Sequence, residues 1–134
     1  MQTMGCIRRP LYALLTIAAC MAPLPAPAHA DESRATIRLA AGASTVIALP
    51  ENPSTGYGWR LNADASRNLA LVSISDAGFA AGAASGRLVG APGLRRFEIA
   101  ARQPGTAIAV FDYARPWERV APARQHVVTI AIRR

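Results

Sequence analysis

The chain has no lysine; all fifteen of its basic residues are arginine. Its two cysteines, Cys6 and Cys20, both fall in the first thirty residues, and His126 is the one histidine beyond them. For residues 31–134 that excludes a disulfide framework, a thiol nucleophile and a cysteine-based metal site. No HxxxH, HExxH or paired histidine offers a metal site, and no GxSxG elbow supports a serine nucleophile. The eight acids are thinly spread, with no close pair that reads as general acid and base. A lone histidine in a strand is a structural residue on this reading. There is no heptad, no long stripe of 3.6-residue period, and no apolar run of the roughly 20 residues needed to cross a bilayer as a helix.

The arginines are scattered, with Arg95-Arg96 and Arg133-Arg134 as the adjacent pairs beyond residue 30. Nucleic-acid binding would want a basic stripe interleaved with aromatic platforms. A solvated basic surface is the simpler account, with steering toward an acidic partner as the other.

The first thirty residues read as a leader. Arg8-Arg9 supplies a positive start, Leu11 to Ala19 an apolar run, and Pro23 to Pro27 a helix-breaking tract. Ala28-His29-Ala30 then gives the small-x-small pattern of a signal-peptidase site. Cleavage there leaves 31–134 as one domain with 13 arginines against 8 acids, a net charge of +5, in the periplasm or outside the cell. Ile17-Ala18-Ala19-Cys20 is an alternative processing box, which would lipidate Cys20 and anchor the protein to a membrane.

The remainder is punctuated like an all-β domain. Strands are expected at Thr36–Ala40, Ser44–Leu49, Tyr57–Leu61, Leu69–Ser75, Leu94–Ala101, Gly105–Tyr113 and His126–Ile132. Seven short strands separated by Gly and Pro breakers point to a sandwich or small barrel. The breakers fall at 50–56, 76–93 and 114–124. In a chain of alternating strand direction these three loops emerge at the same end.

The first of them carries the most distinctive run, Asn52-Pro53-Ser54-Thr55-Gly56-Tyr57. Pro53 fixes its own φ and pushes Asn52 out of the helical region. Gly56 allows a positive φ, and Asn52, Ser54 and Thr55 can close local hydrogen bonds to the backbone. Tyr57 and Trp59 share parity and can anchor one face of the following strand. On this chemistry alone the run is an ordinary turn entering a core.

The run resembles the Asn-Pro-Thr-Thr-Gly-Phe/Tyr loop of the chagasin family of cysteine protease inhibitors. Val89-Gly90-Ala91-Pro92-Gly93-Leu94 is similar to that family's second loop, and Arg115-Pro116-Trp117 to its third. Ser54 stands where Thr is usual, and Pro92 sits inside the Gly-x-x-Gly turn. The resemblance implies an immunoglobulin-like sandwich of seven or eight strands that reversibly blocks papain-like proteases and is not an enzyme. It implies that Asn52, Pro53, Ser54, Thr55, Gly56 and Tyr57 enter the catalytic cleft, with Ser54 and Thr55 nearest the enzyme's Cys–His pair. Gly90, Ala91, Pro92 and Gly93 would brace one side, and Arg115, Pro116 and Trp117 the other. Trp117 suits an exposed hot spot; Arg115 suits either an internal ion pair or the protease. The expected partner is a papain-like cysteine protease met by a monomer, with no cofactor, metal, nucleic acid or small-molecule substrate. The competing reading is an exported immunoglobulin-like binding or adhesion module, which needs no such trio of loops.

Overall fold

The computed structural model describes residues 31–82 and 91–134. The strands are β1 (Asp31–Ala40), β2 (Ser44–Glu51), β3 (Gly58–Leu61), β4 (Val72–Ala81), β5 (Gly93–Ala101), β6 (Gly105–Ala114) and β7 (Arg124–Arg133). They form two sheets, a four-stranded one ordered β1-β7-β6-β3 and a three-stranded one ordered β2-β5-β4. Every pairing is antiparallel except that of β1 with β7. Strand direction therefore alternates along the chain while the path crosses between sheets, the arrangement of an immunoglobulin-like sandwich.

The pleat decides which residues meet between the sheets. Phe97, Ile99 and Ala101 of β5 share one face, and Ala107, Ala109 and Phe111 of β6 another; all six are buried. Val128, Ile130 and Ile132 of β7 continue the second face, with Leu49, Trp59 and Val72 closing the core. The alanines leave room for the bulkier residues opposite, and Phe97 packs on Phe111 with ring centroids 4.7 Å apart. Ile130 has no solvent exposure. Ile130→Val should therefore cost about 0.5–1.5 kcal/mol, read as a lower denaturant midpoint with an unchanged slope.

All seven expected strands are present, but their ends differ. Strand β1 starts at Asp31, five residues before the expected Thr36, because its first half pairs with Arg124 to Val128 of β7. Leu69–Leu71 is a turn of 3-10 helix, not the start of a strand. Asn68 enters it at φ +56, a conformation that Asn tolerates. The turn packs Leu69 and Leu71 against the core. Strand β4 then runs to Ala81, through residues expected to be loop. A bulge between Asp76 and Gly78 absorbs the irregular composition, and the Gly78 N–H donates to Asp76 Oδ1 at 2.7 Å. The loop before β5 thus begins at Gly82 and not at Asp76. The leader expected over 1–30, and the part of the second loop at 83–90 with Gly90, lie outside the described residues.

Candidate functional site

Strand pairing places the three loops at one end. Glu51, the last residue of β2, faces Gly93, the first of β5, which also faces Ala81 at the end of β4. Gly58 faces Ala114, and Tyr113 faces Arg124. Side chains complete the assembly. Arg115 Nε donates to the Thr55 carbonyl oxygen at 3.0 Å, and its guanidinium lies 4.4 Å from the centroid of Tyr57. A cavity of about 560 Å³ opens between the loops, lined in part by Asn52, Thr55, Tyr57, Pro92, Arg115 and Arg124.

The first loop is a single 3-10 turn, Pro53–Thr55, closed by local hydrogen bonds. Asn52 Oδ1 accepts from Ser54 N at 3.2 Å and Ser54 Oγ at 2.7 Å. The Asn52 carbonyl accepts from Thr55 N at 3.2 Å and Thr55 Oγ1 at 2.7 Å. The Pro53 carbonyl accepts from Gly56 N at 3.1 Å, and Gly56 takes φ +77. Asn52 N donates to the Tyr113 hydroxyl at 3.3 Å. Pro53, Ser54 and Thr55 are exposed at the tip. The result is a projecting turn whose shape is set before anything binds it.

The third loop leans on the first. Trp117 is 67% exposed, yet its ring edge sits over Gly56, where a Cβ would come within 2.6 Å of Cη2. Pro116 is exposed beside it. Arg115 also pairs with Glu118 at 2.9 Å, a hydrogen bond that raises the guanidinium above its ordinary pKa. Of the two roles weighed for Arg115, the internal ion pair is present, with Glu118 as its acid. At the second loop, Gly82 N donates to the Pro92 carbonyl at 3.3 Å and closes the base. Gly93 sits where a Cβ would collide with the Ala80 carbonyl oxygen and lie 2.5 Å from Phe79 Cζ. A larger residue there would pry the stems apart. Ala91 is half-buried and Pro92 exposed.

Tyr57 and Trp59 do share a face. Both rings pack on Tyr113, with centroids at 5.4 and 5.0 Å. Trp59 is buried, whereas Tyr57 stays half-buried at the rim of the cavity. His126 is held by Ser33, Oγ to Nδ1 at 2.7 Å, with its ring against the edge of Trp59. Burial lowers its pKa. Among the described residues no three of His, Cys, Asp and Glu gather as a metal site, and no helix is long and apolar enough to cross a membrane.

Sequence reading missed what lies beneath the loops. Glu51 is 3% exposed, accepts from Trp59 N at 3.0 Å and pairs with Arg95 at 2.6 Å. Arg95 reaches on to Asp76 at 3.2 Å. The signal was present as parity. Glu51 continues the inward series of Ile47 and Leu49, and Arg95 begins that of Phe97 and Ile99, so two opposite charges occupy core-facing positions.

An immunoglobulin-like sandwich with three braced loops at one end defines the class. The family model of the chagasin family of peptidase inhibitors (I42) matches residues 38–132, and the chain belongs to that family. It is 31% identical over 85 residues to chagasin of Trypanosoma cruzi, covering 62% of this chain and 74% of that one. It is 29% identical over 103 residues to amoebiasin-2 of Entamoeba histolytica, covering 76% and 80%. Among solved structures it is similar to a cysteine protease inhibitor of Entamoeba histolytica, with a TM-score of 0.59 and 25% identity over 77% of this chain and 94% of that one. The fold is also that of PbICP-C, solved in complex with falcipain-2, at a TM-score of 0.60 and 21% identity over 78% and 91% of the two chains.

Proposed function

We propose that this protein is an exported, reversible and competitive inhibitor of papain-like cysteine proteases, acting by occlusion and performing no chemistry. The Asn52–Gly56 turn fills the catalytic cleft, while Ala91 to Gly93 and Arg115 to Trp117 brace it on either side. Family membership supports the inhibitor reading, and the convergence of the three segments on one end is the observation that carries the mode.

The geometry also explains why such a plug survives in a protease cleft. Attack needs the nucleophile about 3–3.5 Å from the carbonyl carbon and aligned with it. The carbonyls of Asn52, Pro53 and Thr55 are already engaged by Thr55, Gly56 and Arg115. Swinging any of these into line breaks the hydrogen bonds that it accepts. A cleft is concave, the Asn52–Gly56 turn projects with its shape already set, and pre-ordering lowers the entropy lost on docking.

The test separates occlusion from chemistry. Residues 31–134, titrated against a panel of papain-like enzymes, should inhibit competitively and be recovered intact. Replacing the catalytic Cys of a sensitive enzyme by Ala should leave affinity within about tenfold, or ~1.4 kcal/mol. A stable adduct, or complete loss of binding to the Ala enzyme, would overturn occlusion. Inhibition of no member of the panel would overturn the function. Export is checked by intact mass: protein from the cell envelope should begin at Asp31, whereas a lipidated Cys20 at the start would assign a membrane anchor instead.

A further inference from the structure

The core of this sandwich changes character where the loops begin. Along β2 the inward positions run Thr45, Ile47, Leu49 and then Glu51; along β5 they run Arg95, Phe97, Ile99 and Ala101. Among the described residues Glu51 is the single charged residue in the buried set. Placing a carboxylate there costs several kcal/mol unless it is paired and hydrogen-bonded. Each of its oxygens is engaged. Oε1 accepts from Arg95 Nη2 at 2.6 Å, both oxygens lie 3.2 Å from Arg95 Nε, and Oε2 accepts from the Trp59 backbone. A buried ion pair is seldom more stable than an apolar replacement, so stability alone gives no reason for this one.

Its placement does. Glu51 directly precedes the first loop and Trp59 N lies just beyond it, so one carboxylate joins the two stems of that loop. Trp59 Nε1 repeats the tie by donating to the Pro50 carbonyl at 2.8 Å. Arg95 is the third residue of β5, at one stem of the second loop. It reaches Asp76 on β4, the strand that forms the other stem, and Asp76 Oδ1 in turn holds the bulge at Gly78. Hydrogen bonding to Glu51 raises the Arg95 guanidinium above its ordinary pKa. Four strands, drawn from both sheets, thus meet at one ion pair below the loop end.

We propose that Glu51 and Arg95 are positioning residues for inhibition, a clamp that fixes the stems of the first and second loops so that both meet a protease as one rigid face. Neither residue has to touch the enzyme. This rests on the inhibitor reading above, and the clamp itself can be measured with no protease present.

The decisive variant is Glu51→Gln with Arg95→Met. Gln keeps an acceptor for the Trp59 N–H, Met keeps the length of the Arg stem, and Asp76, half exposed at 49%, returns to solvent. Its melting temperature should stay within about 4 °C of the parent. Amide exchange in the free protein should quicken at least tenfold at residues 52–59 and 91–95. Inhibition of a sensitive papain-like enzyme should weaken at least tenfold. Arg95→Lys, which keeps the charge without the forked geometry, should weaken inhibition less than Arg95→Met. Unchanged exchange overturns the clamp whatever any protease does. Faster exchange with unchanged inhibition overturns its role in binding. Weakening that merely tracks melting temperature across Glu51→Gln, Arg95→Lys, Arg95→Met and the double variant overturns it in favour of stability. A parent protein that inhibits nothing defeats the inhibitor reading, while the exchange result still decides the clamp.

Discussion

Trp117→Ala should weaken inhibition by at least about 2 kcal/mol, roughly 30-fold, and leave the melting temperature almost unmoved. The two halves of that expectation come from one number. At 67% exposure the indole contributes little to the core, where truncating a buried Trp would cost about 3–5 kcal/mol of stability. An exposed Trp on a braced loop beside an exposed Pro is the kind of residue that dominates an interface once a partner desolvates it. Melting and inhibition measured on one preparation separate the roles. A large fall in melting temperature with inhibition retained would make Trp117 a structural residue. A small change in both would remove the third loop from the contact.

The loops and the core were legible in the sequence to different depths, for identifiable reasons. Two-residue alternation in Leu94–Ala101 shows directly that Phe97 and Ile99 share one face and Arg96 and Glu98 the other, whereas Ala107 to Phe111 are apolar throughout and carry no such sign. The turn at Asn52–Gly56 was readable because Pro, Gly and short polar side chains act locally, and the hydrogen bonds that form span at most four residues. Strand ends were less legible. Strand β4 extends through Asp76 to Ala81 only because β5 lies alongside to pair with it, and no local pattern reports partners that run from Phe97 back to Gly93. Leu69–Leu71 alternates as well as a true strand does, but a left-handed Asn68 turns it into a helical corner.

The deepest loss was at the loop stems. Glu51 and Arg95 stand 44 residues apart in sequence and 2.6 Å apart in the fold. Taken singly, each is a surface-type charge in a chain with many. Only the register, with β2 and β5 antiparallel and Leu49 opposite Arg95, brings the two inward-facing charges together. Arg115 shows the same limit. Its bond to the Thr55 carbonyl, sixty residues upstream, ties the third loop to the first, and no local pattern reports it.

Gly56→Val should weaken inhibition at least 100-fold, about 2.7 kcal/mol, while the folded core persists. Two independent penalties act at this position. The residue sits at φ +77, where a β-branched side chain is a genuine outlier and strain of about 1–3 kcal/mol is usual. The added Cβ would also lie 2.6 Å from Trp117 Cη2 and 3.0 Å from Cζ2, so the indole must move or the turn must open. Either response alters the face presented to the cleft. A second substitution tells the penalties apart. In a Trp117→Ala background the collision is gone and only the backbone strain remains, so Gly56→Val should cost less there than in the parent. The two substitutions should therefore be non-additive by at least about 0.5 kcal/mol, the range expected of residues in contact. Strict additivity would mean that Trp117 does not rest on Gly56 in solution. A Gly56→Val protein that inhibits as well as its parent would mean that the shape of the first loop is not what the protease reads.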